Sequence, residues 1–256
     1  MLATRVIPCL LLRGTGLVKT IQFKNPSYVG DPRNAVKIFN EKEVDELALL
    51  DITATPEGRE PQLDLIREIV SEAFMPVTYG GGVKTVEQAR AILAVGVEKV
   101  VVNTAAIGQP DFVRAMAERF GSQSVVASID AKKNFWGKYE VWTNGGRTKA
   151  GLDPVECAAQ MEARGAGEIL LNSIDRDGTR AGYDLTLVRA VAQAVQVPVI
   201  ACGGAGSVDD LAAVVREGGA TAAAAGSLFV YQGRHRAVLI SYPSQAELRR
   251  LWSRPA

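Results

Sequence analysis

The sequence has few of the residues that build metal sites and histidine-based catalytic sites. It contains one histidine, His235, and three cysteines, Cys9, Cys157 and Cys202. One histidine and cysteines without C-x-x-C spacing cannot supply a zinc ligand set, a redox pair or a histidine-dependent triad. We therefore expect no metal and no cofactor. Because the cysteines are odd in number and far apart in the chain, a reducing compartment is favoured, and the predicted location is the cytoplasm.

The chain also lacks a net charge and a long hydrophobic run. It has 29 Lys and Arg against 28 Asp and Glu, a formal charge of +1. Without a strong overall field, sequence-independent binding to nucleic acid or to an anionic membrane is not expected. No apolar run reaches the ~18 residues of a spanning helix, and Pro8 interrupts the first one, which we interpret as a strand rather than a leader. We expect no nucleic-acid partner, no membrane insertion, and local binding of any anion.

The sequence does contain eight short runs that are almost continuously apolar. This pattern is typical of strands that are buried on both faces of a parallel sheet. Amphipathic segments separate the runs, which are residues 6–12, 47–52, 76–79, 100–103, 125–129, 169–171, 197–201 and 220–225.

Five of the intervening segments begin with a residue that caps helix N termini: Asp31, Thr85, Asp153, Ser207 and Ser244. Eight strands that alternate with helices predict a single (βα)8 TIM barrel over residues 1–256. The sequence also repeats, since residues 49–58 and 75–82 resemble residues 170–179 and 197–204. The repeat predicts two similar half-barrels, about 1–121 and 122–256, and argues against the alternative of a doubly wound open sheet.

Glycines follow three of the predicted strands, where the chain leads into a helix. Backbone amides at such turns, together with the helix dipole, bind anions, and phosphate sites after strands seven and eight are frequent in barrels. The mirrored spacing predicts two phosphate-binding sites, here called the first and second stations, with ordinary tight turns as the alternative. Asn103 and Thr104 join the first station unless they cap a helix. The predicted anion-binding residues are Gly82, Asn103 and Thr104 in the first station and Gly203, Gly204, Gly226 and Ser227 in the second.

Carboxylates follow the fifth and sixth strands, where barrel geometry directs side chains into the mouth of the pocket. Asp130 ends strand five and is the candidate for general acid or base chemistry, with a buried structural carboxylate as the alternative. After strand six, Asp177 with Gly178 is the candidate ligand contact. The spacing favours a local ion pair between Asp175 and Arg176.

Charged residues also lie at the starts of four strands, at the opposite end of the predicted barrel. They are Arg5, Glu46, Lys99 and Glu168. Two cations and two anions around one mouth are able to close a salt-bridge ring. From spacing alone, four solvated strand ends are favoured.

Two segments at the predicted catalytic rim are longer than a simple connection requires. Residues 13–30 are predicted to form a mobile loop, and residues 138–148 a small hairpin. Both are candidate lids. His235 lies between Arg234 and Arg236, where a solvated turn is favoured over a cationic cluster.

Nine short motifs, spread over nearly the whole chain, carry a specific resemblance to one family. They are RVIPCL (5–10), LDIT (50–53), GGG (80–82), NTA (103–105), FGSQS (120–124), GEIL (167–170), SIDRDGT (173–179), GYD (182–184) and CGGAG (202–206). With these motifs the chain resembles the HisF family, the cyclase subunit of imidazole glycerol phosphate synthase. Members of that family form a complex with a glutamine amidotransferase, and its ammonia passes through the barrel.

The resemblance implies a role for most of the candidate residues. It implies that the four charged strand ends gate the ammonia entrance, which replaces the interpretation as solvated ends. It also implies that Asp130 is one of two catalytic aspartates. The implied phosphate sites are Gly82, Asn103 and Thr104 for the first, and Asp177, Gly203, Gly204 and Ser227 for the second.

The chain departs from the family at the other catalytic aspartate, where it has Leu11. An isobutyl group has no titratable proton and accepts no hydrogen bond, so ring closure would lack one acid/base group. The segments PCLLL (8–12), KT (19–20) and GRHRAVLISYP (233–243), with Tyr79, are similar to a HisF-like branch. That branch is associated with acetamidino modification of surface-polysaccharide sugars.

Three functions therefore stay open. The first is a subunit that channels ammonia to an amidine-forming step on a nucleotide-linked sugar in O-antigen biosynthesis. Its expected partners are a HisH-like glutaminase and a separate sugar amidotransferase, and its ligand is a nucleotide sugar or another phosphorylated small molecule. The second is an authentic imidazole glycerol phosphate cyclase, a lyase of histidine biosynthesis. The third is a non-catalytic scaffold that activates the glutaminase.

Overall fold

The computed structural model describes residues 4–233 and 235–253 and contains a closed barrel of eight parallel strands. Adjacent strands pair in chain order from β1 to β8, β8 pairs with β1, and the circle is therefore complete. The predicted single (βα)8 barrel is confirmed. The strands are β1 (Arg5–Arg13), β2 (Leu47–Asp51), β3 (Val77–Gly80), β4 (Lys99–Val102), β5 (Val125–Lys133), β6 (Glu168–Ser173), β7 (Val199–Cys202) and β8 (Ala222–Ala225).

Helices cover the outside of the barrel. Asp31 and Asp153 accept hydrogen bonds from first-turn amides, Thr85 and Ser207 form capping boxes, and the Ser244 hydroxyl accepts from the Glu247 amide. All five predicted helix starts are confirmed. The helices are α1 (Pro32–Glu41), α2 (Leu63–Ser71), α3 (Val86–Ala94), α4 (Thr104–Gly108), α5 (Asp111–Phe120), α6 (Pro154–Ala163), α7 (Leu185–Ala194), α8 (Val208–Arg216), α9 (Ser227–Val230) and α10 (Gln245–Ser253), with a 3₁₀ turn at Ser122–Ser124.

Residues 13–30 form an antiparallel hairpin, so the prediction of a mobile loop is wrong. Its strands are Gly16–Ile21 and Lys24–Gly30, and the first pairs with the end of β1 after a turn in which Gly14 has φ 61°. The apolar residues of this segment explain the difference. Leu17 is buried in the outer core and Val18 in the barrel interior, so the strand has apolar contacts on both faces. We call residues 13–30 the first hairpin.

The second rim element is a three-stranded ribbon. The predicted hairpin is present as Tyr139–Thr143 and Thr148–Lys149, and Tyr139–Thr143 also pairs with the end of β5 from Asp130 to Lys133. Strand β5 is therefore longer than the apolar run that indicated it. We call residues 130–149 the second ribbon.

The barrel has an outer core against the helices and an inner core on its axis. Strand β1 contributes Ile7, Cys9 and Leu11 to the inner core. Alternate residues of a strand face the same side, so Arg5 begins this inner row at one mouth and Leu11 ends it at the other. Within residues 4–233 and 235–253, none of the helices has the length and apolarity needed to cross a membrane.

Candidate functional site

The N-terminal mouth of the barrel is closed by a ring of four ion pairs. Arg5 contacts Glu46 Oε2 at 2.6 Å and Glu168 Oε1 at 2.8 Å, and Lys99 Nζ lies 3.0 Å from Glu46 Oε2 and 3.2 Å from Glu168 Oε2. Each cation therefore bridges both carboxylates. The interpretation as solvated strand ends, which spacing alone favoured, is wrong, because these side chains point toward the barrel axis.

The ring is almost dry, and hydrogen bonds compensate for that burial. Glu46, Lys99 and Glu168 are each less than a tenth exposed. Thr78 Oγ1 donates to the remaining oxygen of Glu46 at 2.7 Å. Burial lowers the pKa of Arg5, but the charges of Glu168 and Glu46 outweigh it, and the net result is a raised pKa. Desolvated charges of this kind persist only when paired and hydrogen-bonded.

The opposite mouth opens into a cavity of about 720 Å³ at the C-terminal ends of the strands. The residues that line it include those that the sequence analysis assigned to this rim, and they lie on or directly after β1 and β3 to β8. They are Leu11, Gly82, Asn103, Thr104, Asp130, Asp177, Gly178, Gly203, Gly204, Gly226 and Ser227. A volume of several hundred Å³ with a few polar groups is typical of a small-molecule site.

Asp130 lies within β5 rather than at its end, because the strand continues into the second ribbon. Desolvation by burial raises the pKa of Asp130 to about 7, with a further contribution from the negative charge of Asp177. A carboxyl group with this pKa can donate or accept a proton near neutral pH. The group has the protonation behaviour expected of an acid/base residue.

Asp177 holds the first hairpin over the cavity. Its Oδ2 accepts from Thr20 Oγ1 at 2.7 Å and from the Phe23 amide at 3.2 Å, and its carbonyl accepts from the Gln22 amide at 2.9 Å. Gly178 permits the close approach, because a Cβ there would overlap the Thr20 carbonyl oxygen. The Asp177 carboxylate, which was predicted to contact a ligand, therefore links the loop after β6 to the first hairpin.

The local ion pair predicted between Asp175 and Arg176 is wrong. Asp175 accepts from the Lys133 amide at 2.8 Å, and Arg176 donates to the Ala181 carbonyl at 3.1 Å. Adjacent residues in this turn point to different elements. Both side chains support the conformation of the loop after β6.

In the first station, side chains hold neighbouring strands together. Asn103 Nδ2 donates to the Ser128 carbonyl at 3.0 Å, so Asn103 links β4 to β5 and does not cap α4 with its side chain. Thr104 Oγ1 accepts from the Asn144 amide of the second ribbon at 2.9 Å. The Gly82 amide donates to Thr55 Oγ1 at 3.2 Å, and Gly82 has φ 74°. The station thus also ties the second ribbon to the barrel.

The second station combines left-handed glycines with a hydroxyl group. Gly203 and Gly204 have φ values of 89° and 117°, and a Cβ on either would meet neighbouring backbone closely. Ser227 is 6% exposed, and its Oγ has no hydrogen-bond partner in the described part of the chain. Buried hydroxyl groups are normally paired, so this one is available to a ligand.

Sequence reasoning missed Lys19 as a residue of the second station. This lysine is 6% exposed, lines the cavity, and its ammonium lies against Gly226 in the space that a Cβ there would need. It forms no ion pair with any residue that the structure describes. The available signal was a pair of polar residues, Lys19 and Thr20, directly after the apolar Leu17 and Val18, but the prediction of a loop over residues 13–30 assigned the pair no inward-facing position.

Two cysteines that are far apart in the chain meet on the cavity wall. Cys9 of β1 and Cys202 of β7 are buried free thiols, and a hydrogen bond from Cys202 lowers the pKa of Cys9. His235, predicted to lie in a solvated turn, is exposed, and the preceding residue, Arg234, lies outside the described residues. Spacing along the chain could not indicate the contact between Cys9 and Cys202, which depends on barrel closure.

Comparisons with known proteins agree with this architecture. The model of the histidine biosynthesis protein family matches residues 5–236. A Pseudomonas aeruginosa protein, provisionally named imidazole glycerol phosphate synthase subunit hisF2, is 56% identical over 97% of this chain and 99% of its own length. A Vibrio vulnificus protein provisionally named subunit hisF3 of the same synthase is 52% identical over 96% of this chain and 95% of its own length. A Leptospira borgpetersenii protein provisionally named subunit HisF is 49% identical over 95% of this chain and 96% of its own length. The chain therefore belongs to the histidine biosynthesis protein family and is a HisF-type member of it.

Proposed function

We propose that this protein is the barrel subunit of a glutamine-dependent complex and conducts ammonia to an amidine-forming step on a nucleotide-linked sugar. A HisH-like glutaminase supplies the ammonia at the N-terminal mouth. A separate sugar amidotransferase holds the acceptor at the C-terminal mouth. The observation that carries the proposal is the contrast between the two ends of β1: a complete ion-pair ring at Arg5 and an apolar side chain at Leu11.

The interior between the two mouths supports passage of a small neutral molecule. Ile7 and Cys9 follow Arg5 on the inner face of β1, and Ala222 and Ala224 face the same interior from β8. Six residues of strand at ~3.3 Å each span about 20 Å from Arg5 to Leu11. Alanine side chains leave more room on this side than the larger side chains that fill most barrel interiors. An apolar wall also favours NH₃ over NH₄⁺, because an unpaired charge is costly there.

The C-terminal cavity supports an anionic ligand next to the ammonia exit. Lys19 is a buried cation beside Gly226, and the Ser227 hydroxyl is free to donate. Together they can hold one phosphate of a nucleotide sugar or of another phosphorylated compound. Proton transfer at this end is left to Asp130, since Leu11 has no titratable group.

An authentic imidazole glycerol phosphate cyclase is the second candidate. It is favoured by the names of the relatives and by Asp130, whose pKa of about 7 retains an acid/base group. The test supplies the family's bisphosphate substrate with free ammonium salt, which bypasses the glutaminase. Cyclisation at a rate similar to that of an aspartate-containing relative would reject the conduit proposal as stated.

The conduit itself is tested by narrowing the interior. Ala224 faces the barrel axis, whereas its neighbour Ala223 packs in the outer core. Ala224→Val should lower the ratio of amidated sugar to glutamine hydrolysed in the reconstituted complex, while the matched control Ala223→Val should not. Both variants add two methyl groups to a packed site and should lose a similar stability, about 1–3 kcal/mol. Added ammonium salt should restore product formation by Ala224→Val.

The same experiment addresses the third function, a scaffold that only activates the glutaminase. A scaffold requires no passage through the barrel. The product ratio would then be equal for Ala224→Val, Ala223→Val and the unmodified protein. That result would overturn the conduit and leave a docking role.

A further inference from the structure

Two aromatic side chains at the tip of the second ribbon are almost completely exposed. Phe135 is 94% and Trp136 81% exposed, and their rings meet edge to face with centroids 5.4 Å apart. Single exposed apolar residues are common on protein surfaces, but an adjacent exposed pair of large aromatics indicates a contact site. The pair lies on the same face of the barrel as the cavity, since β5 runs from Asp130 directly into this tip.

The turn that carries the pair is held in one conformation by hydrogen bonds. Asn134 Oδ1 accepts from the amides of Trp136 at 2.9 Å and Lys138 at 3.0 Å, and the Asn134 amide donates to the Lys138 carbonyl at 2.8 Å. Asn134 Nδ2 donates to Glu140 at 3.0 Å, and Gly137 supplies the positive φ of 77°. Aromatic anchors presented by a rigid turn lose little conformational entropy when they bind.

The tip is also positively charged. Lys132, Lys133 and Lys138 flank the aromatic pair, and none of them forms an ion pair with a residue in the described ranges. Three nearby acids are already engaged: Glu140 contacts Lys149 at 2.7 Å, Asp175 accepts from the Lys133 amide, and Asp184 accepts from the Tyr139 hydroxyl at 2.8 Å. A partner surface that complements this tip is an apolar socket with acidic residues around it.

We propose that the Phe135–Trp136 tip is the docking site for the protein that holds the ammonia acceptor, through an apolar socket bordered by carboxylates. This inference rests on the proposed function. Three residues of strand, from Asp130 to the end of β5 at Lys133, rise ~3.3 Å each and carry the start of the tip about 10 Å beyond Asp130, so a protein seated on it lies over the exit of the barrel. A bilayer on the same face would place lipid over that exit, while the acceptor sugar nucleotide is in water.

Binding is measured between the sugar amidotransferase and the complete barrel–glutaminase complex. Trp136→Ser and Phe135→Ser together should raise the dissociation constant at least ~10-fold, because tryptophan anchors are frequent hot spots. Lys138→Glu should weaken binding and flatten its salt dependence. The matched control is Phe74→Ser, which changes a side chain of 89% exposure next to Asn40, on the N-terminal side. It should leave amidotransferase binding unchanged.

The possible results separate the docking site from the conduit. Unchanged affinity of the tip variant, or no binding by the unmodified protein, overturns the docking site. The unmodified complex could also sediment with vesicles of phosphatidylglycerol and phosphatidylcholine while the tip variant does not. If the tip variant then binds the amidotransferase as before, the tip is a membrane anchor and the docking proposal is overturned. A third result separates the two proposals. If the tip variant binds the amidotransferase more weakly but Ala224→Val leaves the product ratio unchanged, the docking site is supported and the conduit is rejected. Circular dichroism verifies that the exposed substitutions leave the fold intact.

Discussion

The raised pKa of Asp130 makes a quantitative prediction about stability. The pKa in the folded protein is about 7, against an ordinary value of 3.8. Between these values the folded state holds a proton that the unfolded chain has released, so stability is lost as pH rises through this window. The difference of about 3 pKa units corresponds to about 4 kcal/mol. This is an upper limit, because the carboxyl group borders a cavity in which water can relax around its charge.

Asp130→Asn removes this titration while it retains the size of the side chain. We expect the variant to match the unmodified protein near pH 3, below both pKa values, and to be more stable by up to about 4 kcal/mol at pH 8. Urea unfolding at pH intervals between these limits measures the difference. The control is Asp64→Asn, which changes a side chain that is 94% exposed. Parallel stability profiles for Asp130→Asn and the unmodified protein would refute the reasoning.

Three further predictions concern the two mouths of the barrel. Lys99→Ala leaves Glu46 and Glu168 bridged only by Arg5, so it should lower the free energy of unfolding in urea by about 3 kcal/mol and lower the product-to-glutamine ratio. Lys99→Arg keeps the charge and should lower the stability and the ratio by less. Millimolar phosphate should release or absorb heat in calorimetry by binding at the second station, and Ser227→Ala should weaken it; no binding at all would contradict the rim assignment. Leu11→Asp should produce weak ammonia-dependent cyclisation of the bisphosphate substrate, and no gain would mean that the cavity has diverged beyond this position.

The barrel and its helix starts were predictable because their signals are local. A capping box needs only Thr85 and Gln88, three residues apart, and a buried strand needs only a short apolar run. The first hairpin was not predictable in this way. Gly14, Gly16 and Pro26 are typical of a loop, and its strands are stabilised by tertiary burial of Leu17 and Val18. Tertiary packing overrides local propensity in such segments.

The site was predictable as a set of rim positions but not as a set of contacts. The ion-pair ring depends on which face of each strand points inward, and a shift of one residue would turn Lys99 outward. Cys9 and Cys202 meet only because the sheet closes on itself. Asp177 was correctly assigned to the cavity, but its bond to Thr20 required the hairpin that the sequence pattern concealed.

The environment of Leu11 explains why one substitution separates the candidate chemistries. Leu11 is 9% exposed and packs in the inner core with Cys9 and Cys202. A carboxylate in this position would be desolvated, as Asp130 is, and two carboxylates in one poorly solvated cavity raise each other's pKa. Near neutral pH such a pair shares a proton, so one group is an acid while the other is a base. With Leu11 in this position, Asp130 has no such partner with which to share its proton, because the Asp177 carboxylate of the same cavity is held by Thr20 and the Phe23 amide. A cyclase needs both roles in one cycle, whereas delivery of NH₃ to a site on another protein needs neither, and this difference favours the conduit.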